Sequence, residues 1–199
     1  MNKGGGSLYS TEALQSISDF CKENKLPLHL DGARIFNAIV ASGQTPLQYG
    51  KWFDTISVCL SKGLGAPIGS LLLGSNNFIK KAKRVRKRMG GGWRQAGFLA
   101  AAGIYALDHH IDRLKEDHDR AKTIGEFCSS LSWAKQVLPV ETNIVIVELK
   151  DHLHAPDLVN TFKEKGIYCN AFGNHSLRFV THLDFTEEHL QEFINQLKE

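Results

Sequence analysis

The sequence of 199 residues is short of long apolar runs and of cysteine. A membrane-spanning helix needs about 20 consecutive apolar residues, and no stretch approaches that length. The polar, glycine-containing N-terminus does not have the apolar segment of a signal peptide. The four cysteines are widely spaced and form no CxxC pair, which argues against a zinc or redox motif and favours reduced thiols. These absences predict a cytoplasmic protein that does not bind membranes.

An excess of charge is also missing, because 24 basic residues against 21 acidic ones give a net charge of only +3. The exception is the run at residues 80–88, with seven basic residues in nine. Such a run fits a solvated helix face, or a patch for nucleic acid or an anionic membrane. No aromatic residue alternates with the basic ones, as a base-stacking surface would require. We therefore expect no nucleic-acid partner.

The spacing of apolar residues alternates between helical and strand patterns, which predicts an α/β fold. Ser10 or Thr11 can cap the first helix. The predicted helices are 11–24, 34–41, a helix from 76 through the basic run, 94–130, 155–165 and 186–198; the predicted strands are 26–30, 55–60, 70–73, 143–149, 167–170 and 177–182. A shift in composition near 129–136 predicts a large domain over 1–130 and a small α/β domain over 131–199.

Lys62 stands between an apolar run, residues 55–61, and a glycine-rich stretch, residues 63–69. A lysine carried from a buried strand into a tight loop is expected to lose hydration, and its amine then becomes available as a nucleophile toward a carbonyl. A Schiff-base lysine needs this placement. A lone lysine after a strand is more often a solvated surface residue, so the position alone leaves both interpretations open.

Asp31 lies 31 residues before Lys62, at the predicted C-terminal end of a strand. Open α/β sheets bind ligands in crevices at such strand ends. A carboxylate there can keep a pyridinium nitrogen protonated, and an aspartate with a Schiff-base lysine is the pair expected of a pyridoxal-phosphate (PLP) site. A strand-end aspartate is more commonly a turn or helix cap.

Five segments in one collinear order resemble the low-specificity threonine aldolases, PLP enzymes of the aspartate-aminotransferase fold type (fold type I). They are 29–34 (HLDGAR), 61–65 (SKGLG), 69–70 (GS), 90–97 (GGGWRQAG) and 178–184 (RFVTHLD). The resemblance implies that residues 1–130 are the C-terminal part of the large PLP-binding domain and that 131–199 are the small C-terminal domain. It also implies a homo-oligomer, a dimer or tetramer, with shared active sites.

The resemblance implies a role for each matching residue. Lys62 would carry the cofactor, Asp31 would pair with the pyridine nitrogen, and Ala33 would lie against the ring. Arg34 would contact the cofactor's phenolic oxygen or the substrate carboxylate, and Arg178 would bind that carboxylate bidentately. A separate pair, Lys87 and Arg94, would approach the cofactor phosphate or the mouth of the active site, including that of a neighbouring subunit.

Family members carry well over a hundred further residues before the segment that resembles residues 1–6, including a phosphate-binding loop and a histidine that stacks on the ring. We therefore expect this chain to be part of a longer protein or a truncated one. The base that takes the substrate's hydroxyl proton is not identifiable. His182, beside Arg178, is expected to satisfy a local hydrogen bond rather than to act as that base.

The resemblance implies a lyase that cleaves L-threonine or L-allo-threonine between Cα and Cβ, giving glycine and acetaldehyde. Two alternatives remain: a PLP-dependent β-eliminating lyase acting on another amino acid, and an inactive fragment of such an enzyme. His109, His110 and His118 show no metal-ligand spacing and are expected to be exposed helix residues.

Overall fold

The computed structural model describes residues 4–198, and its contacts divide the chain into two compact units. The N-terminal unit is Tyr9–Asp112, and the C-terminal unit joins residues 4–8 to the chain from Arg113 onward. Each unit combines helices with one β-sheet. The predicted α/β class is therefore confirmed.

The N-terminal unit contains a three-stranded sheet of order β1-β2-β3. Strand β1 pairs with β2 in parallel, and β2 pairs with β3 antiparallel. Its elements are α1 (Thr11–Glu23), β1 (His29–Asp31), α2 (Ile35–Ser42), α3 (Pro46–Trp52), β2 (Thr55–Cys59), β3 (Ser70–Gly74), α4 (Asn76–Arg88) and α5 (Gly97–His109). Because β1 and β2 are parallel, their carboxyl ends lie at the same edge of the sheet.

Local signals explain where several of these helices begin. The Ser10 hydroxyl accepts a hydrogen bond from the backbone N–H of Ala13 at 3.2 Å, so the predicted cap of α1 is confirmed. Helix α3 begins with a reciprocal capping box between Thr45 and Gln48, followed by a proline in the first turn. The sequence analysis did not predict α3, although this capping pattern was readable.

The C-terminal unit contains a four-stranded antiparallel sheet of order β4-β5-β7-β6. Its elements are α6 (Leu114–Ser129), β4 (Ala134–Val137), β5 (Ile144–Leu149), α7 (Ala155–Glu164), β6 (Asn170–Ala171), β7 (Ser176–Val180) and α8 (Glu187–Lys198). Strand β5 is the most buried, and α6 packs against β4, β5 and α8. Buried apolar residues from α6, β5, β7 and α8 form the core of this unit.

A buried ion pair lies at the start of α6. The carboxylate of Asp117 has no exposed surface and accepts hydrogen bonds from both terminal nitrogens of Arg113, at 2.5 and 3.1 Å. The Thr181 hydroxyl donates to the backbone oxygen of Asp117 at 2.6 Å, which ties α6 to the segment after β7. Helix α6 therefore belongs to the C-terminal unit through polar as well as apolar contacts.

Residues 4–8 also pack with the C-terminal unit. Gly5 and Gly6 both have positive φ angles, of 66° and 88°. A Cβ on Gly6 would lie 2.5 Å from the Thr142 hydroxyl oxygen, so only glycine fits there. The Thr142 hydroxyl donates to the Gly6 oxygen at 2.8 Å, and the Leu8 N–H donates to the Glu141 carboxylate at 2.9 Å.

Several predicted boundaries differ from the structure. The single helix predicted over 94–130 is two helices, α5 and α6, separated by residues 110–113. The contacts divide the chain after Asp112 rather than after residue 130, because α6 packs against β4 and β5. The strand predicted over 26–30 is shorter and later, and the strand predicted over 167–170 is the two-residue β6. Strand β4 was not predicted.

Candidate active site

Asp31 and Lys62 leave the sheet of the N-terminal unit at one edge. Asp31 is the last residue of β1 and pairs with Ser57 of β2. Strand β2 ends two residues later at Cys59, and Lys62 lies in the loop that follows. The structure therefore brings the two predicted segments to the carboxyl ends of neighbouring parallel strands, where α/β sheets place ligand-binding groups.

A close approach between Gly32 and β2 fixes the exit of the chain after Asp31. A Cβ on Gly32 would lie 2.7 Å from the backbone oxygen of Ser57 and 3.1 Å from the Ile56 side chain. The backbone then turns, and Oδ1 of Asp31 accepts a hydrogen bond from the Ala33 N–H at 3.2 Å. This bond uses one of about four acceptor positions of a carboxylate. Asp31 is exposed and keeps capacity for a ligand donor.

The loop that carries Lys62 is closed by three backbone hydrogen bonds. Leu60 N–H donates to the Gly69 oxygen at 2.9 Å, and Ala66 N–H donates to the Leu60 oxygen at 3.1 Å. Gly65 N–H donates to the Lys62 oxygen at 2.8 Å, which makes a tight turn of residues 62–65. Gly65 has φ of 69°, a conformation that glycine adopts at low cost.

Buried apolar side chains anchor this loop while Lys62 points outward. Leu60, Leu64 and Ala66 are buried, and Lys62 itself is exposed. The expectation that the loop would withdraw Lys62 from water is therefore not met in this chain. The backbone oxygen of Leu64 accepts a hydrogen bond from Nδ1 of His110 at 2.6 Å. The prediction of exposed helix histidines is confirmed for His109 and wrong for His110 and His118, which are both half-buried.

Ala33 and Arg34 occupy the turn between β1 and α2. Both are half-buried, and Arg34 takes the N-cap position of α2 with φ of −128° and ψ of 34°. They follow Asp31 directly, so they lie at the same end of β1 as the carboxylate. Their roles toward a ring and a carboxylate stay predictions.

The three glycines after α4 allow basic side chains to fold back over the turn. A Cβ on Gly91 would lie 2.7 Å from Cγ of Arg86, and a Cβ on Gly92 would clash with the Lys87 side chain. Lys87 and Arg94 are both exposed. Helix α4 has no fully buried residue, and all the basic side chains of its run are exposed. The phosphate-binding role of Lys87 and Arg94 stays a prediction.

Arg178 lies on β7 of the C-terminal unit. Its neighbours Leu177 and Phe179 are buried in the core, so the alternation of the strand places Arg178 on the opposite face of the sheet. Partial burial lowers the pKa of the Arg178 guanidinium. Its carboxylate-binding role stays a prediction.

His182 follows β7 and lines a cavity of about 310 Å³ between β7 and α8. Its Nδ1 accepts a hydrogen bond from the Asp184 N–H at 3.3 Å, which is the local bond predicted from the sequence.

Two of the cysteines, Cys128 and Cys169, lie in the C-terminal unit. Burial raises the pKa of Cys128 to about 12 and that of Cys169 to about 11, so both thiols are protonated at neutral pH.

Two further properties concern residues 4–198. None of their helices has both the length and the apolar character needed to cross a membrane. In the same range, no three or more His, Cys, Asp or Glu side chains are grouped so that they could hold a metal ion.

Comparison with solved structures defines the class of fold. Threonine aldolase from Leishmania major superposes with a TM-score of 0.76 at 22% identity, covering 98% of this chain and 57% of its own. Ornithine aminotransferase from Toxoplasma gondii, crystallised with partial occupancy of PLP at its active site, gives a TM-score of 0.67 at 17% identity, covering 98% and 47%. The fold is that of the threonine aldolases and aminotransferases, as the resemblance implied.

Sequence comparison defines the family. Residues 1–152 match the beta-eliminating lyase family, and the chain belongs to it. The low specificity L-threonine aldolase of Escherichia coli K12 is 42% identical over 191 residues, 96% of this chain and 56% of its own length. Low-specificity L-threonine aldolase 1 of Arabidopsis thaliana is 40% identical over 185 residues, 92% and 52%. The chain thus spans about half the length of these curated relatives.

Proposed function

We propose that this chain carries the cofactor lysine of a PLP-dependent lyase that cleaves L-threonine and L-allo-threonine to glycine and acetaldehyde. The observation that carries the proposal is the placement of Lys62 and Asp31 at the carboxyl ends of two neighbouring parallel strands. The names of the relatives support the substrate. A cytoplasmic location belongs to the proposal as well.

The donor set of the N-terminal unit fits PLP. The cofactor needs an amine that can bond to its aldehyde and a carboxylate for its ring nitrogen. Lys62 supplies an exposed amine on a loop closed by backbone bonds. Asp31 supplies an exposed carboxylate with acceptor capacity beyond its bond to Ala33. Both groups are therefore accessible to a cofactor.

The proposed roles follow from the chemistry of the side chains. When bound, PLP supplies a ring that accepts the electron pair released when a bond at the substrate's Cα breaks. Asp31 holds a proton at the ring nitrogen through a charge-assisted hydrogen bond, and Ala33 offers a small apolar surface to the ring. Arg34 contacts the cofactor's phenolic oxygen or the substrate carboxylate, and Arg178 binds that carboxylate, which orients the bond that breaks.

The remaining basic groups are assigned to the cofactor's phosphate. Lys87 and Arg94 are exposed cations on either side of the three glycines at 90–92 and suit an anionic group. The name of the family keeps β-elimination as the alternative reaction. Product analysis separates the two, because threonine cleavage gives glycine and an aldehyde, whereas β-elimination gives a keto acid and ammonia. An inactive fragment would give neither.

The first prediction is that PLP bonds to Lys62. Incubation with PLP, reduction with borohydride and peptide mapping are expected to place the adduct on Lys62, since Lys62 follows the strand next to the one that ends at Asp31, the carboxylate assigned to the ring nitrogen. The exposed lysines of α4 serve as an internal comparison. A label spread over α4 with none on Lys62 would show that Lys62 is an ordinary surface lysine, and Lys62→Arg should abolish the specific adduct.

The second prediction is that the 199-residue chain self-associates. Strands β1 and β3 are the outer strands of their sheet within residues 4–198, and Leu71, Leu72 and Leu73 of β3 are 41 to 48% exposed. Phe98 of α5 is 93% exposed. Uncovered strand edges and apolar surface favour association, which agrees with the proposed homo-oligomer.

Light scattering tests this association. Phe98→Asp is expected to weaken it by placing a charge in the exposed apolar surface. Leu47→Asp is the matched control. It places the same charge at an apolar residue of α3 that is 79% exposed, and it is expected to leave the association unchanged. A wild-type chain that stays a monodisperse monomer of 22.2 kDa would contradict the prediction.

A further inference from the structure

His110 forms a direct bond to the loop that carries Lys62. It occupies the C-cap position of α5, and its Nδ1 lies 2.6 Å from the backbone oxygen of Leu64. A carbonyl oxygen only accepts, so Nδ1 of His110 carries the proton and donates. The ring of Tyr105 meets the imidazole edge-on at 5.5 Å, which restricts its orientation.

The bond from His110 completes the fixation of one peptide unit. In the peptide between Leu64 and Gly65, the N–H donates to the Lys62 oxygen at 2.8 Å and the C=O accepts from His110 at 2.6 Å. A rotation of this peptide would break both bonds together. Glycine tolerates either sign of φ, so without these bonds Gly65 would oppose the rotation only weakly.

The orientation of this peptide bears on Lys62 through the turn of residues 62–65. The Gly65–Lys62 hydrogen bond sets the backbone direction at Lys62, and the side chain of Leu64, 2% exposed, holds the turn against the unit. A turn whose last peptide can rotate presents the Lys62 amine in several directions. Holding a reacting group in one direction is what favours its reaction.

We infer that His110 is a positioning residue for Lys62, holding the 62–65 turn through Leu64 so that the amine is presented to the cofactor's aldehyde. The inference rests on the proposed function of Lys62. His110 does not touch the cofactor in this arrangement and acts only through the turn. The neighbouring His109 is exposed and packs against Tyr105 at 4.4 Å. It therefore provides a control at the adjacent position.

The test uses the full chain in three variants and two readouts. His110→Ala removes the donor, His110→Asn restores one at a similar position, and His109→Ala is the matched control. The first readout is hydrogen exchange of the Gly65 amide, measured without cofactor by mass spectrometry. The second is the rate of borohydride-trapped PLP labelling at Lys62, relative to the lysines of α4. Exchange in β2 checks that each variant is folded.

In His110→Ala, Gly65 is expected to exchange about tenfold faster, the effect of losing one hydrogen bond, and labelling of Lys62 is expected to slow relative to α4. His110→Asn should recover both readouts, and His109→Ala should change neither. Should His110→Ala fail to fold, His110→Leu removes the donor while keeping more of the side-chain volume.

Unchanged Gly65 exchange in His110→Ala would overturn the inference. Faster exchange of Gly65 with unchanged labelling of Lys62 would overturn it too, because His110 would then hold the turn without affecting the reaction of the Lys62 amine. The proposed function fails differently, through absence of Lys62 labelling in the wild-type chain.

Discussion

Asp31→Ala is expected to lower threonine cleavage by about a few hundredfold in the intact enzyme. The substitution removes the carboxylate that keeps the ring nitrogen protonated, and with it the withdrawal of electrons from Cα. Loss of one electrostatic contact of this kind costs about 3–4 kcal/mol in the barrier, and each 1.36 kcal/mol is about tenfold in rate. Acetaldehyde release measures the rate, and PLP titration should show weaker binding.

Asp31→Asn separates the charge of Asp31 from its role in the turn. The amide oxygen of asparagine can still accept the hydrogen bond from the Ala33 N–H, which is 3.2 Å long in the native chain. The amide carries no charge and cannot keep the pyridine nitrogen protonated. Turnover in Asp31→Asn should therefore fall nearly as far as in Asp31→Ala. Near-normal turnover in the asparagine variant would mean that Asp31 serves only as a turn cap.

Asp117→Ala is expected to destabilise the C-terminal unit by about 3 kcal/mol. Asp117 is fully buried, and its removal leaves the guanidinium of Arg113, only 14% exposed, without its carboxylate. Breaking one side of a buried ion pair typically costs about 3–5 kcal/mol; the lower end applies because Arg113 keeps some contact with water. Hydrogen exchange of the β5 amides should become about a hundredfold faster through the opened state.

Asp119→Ala is the matched control on the same helix. Asp119 pairs with Lys115 at the same spacing, but the two side chains are 63% and 71% exposed. An exposed pair of this kind contributes about 0–1 kcal/mol. Equal effects of the two substitutions would show that burial does not distinguish these pairs.

The contrast between these two pairs shows what the sequence could not indicate. Both combine a basic residue with an aspartate four positions later, so spacing alone treats them alike. Burial depends on which face of α6 meets the sheet. The break between α5 and α6 was missed for a similar reason, because residues 104–124 contain neither glycine nor proline. Tertiary contacts, including the bond from His110 to Leu64, end α5 there.

Strands β2 and β4 show when a strand can be predicted from its own residues and when it cannot. Strand β2 was predicted from the apolar run at residues 55–61, and in the structure Ile56 and Val58 are its buried residues. Strand β4 (Ala134–Val137) includes a lysine and a glutamine and has low strand propensity, but it pairs with the apolar β5. Pairing with a neighbour overrides weak local preference in such edge strands.

Within the candidate site, the sequence predicted that Asp31 and Lys62 follow strand ends but did not predict the exposure of Lys62 or its neighbours. The alternating strand pattern before Asp31 and the apolar run before Lys62 were enough to place both residues at strand ends, as the structure has them. The exposure of Lys62 follows from the side on which Leu60 and Leu64 are buried, which the local sequence does not determine. His110 carried no sequence signal for its bond to a loop 46 residues earlier.

The packing of residues 4–8 against Thr142 and Ile144 has a consequence for the order in which the protein can fold during synthesis. These residues are synthesised before their partners, which follow more than 130 residues later. The N-terminal unit can therefore form while residues 4–8 still lack the surface around Thr142 and Ile144 on which they pack. The C-terminal unit reaches its final contacts only when residues 4–8 and the chain from Arg113 onward are both available, so no single cut between them isolates it intact.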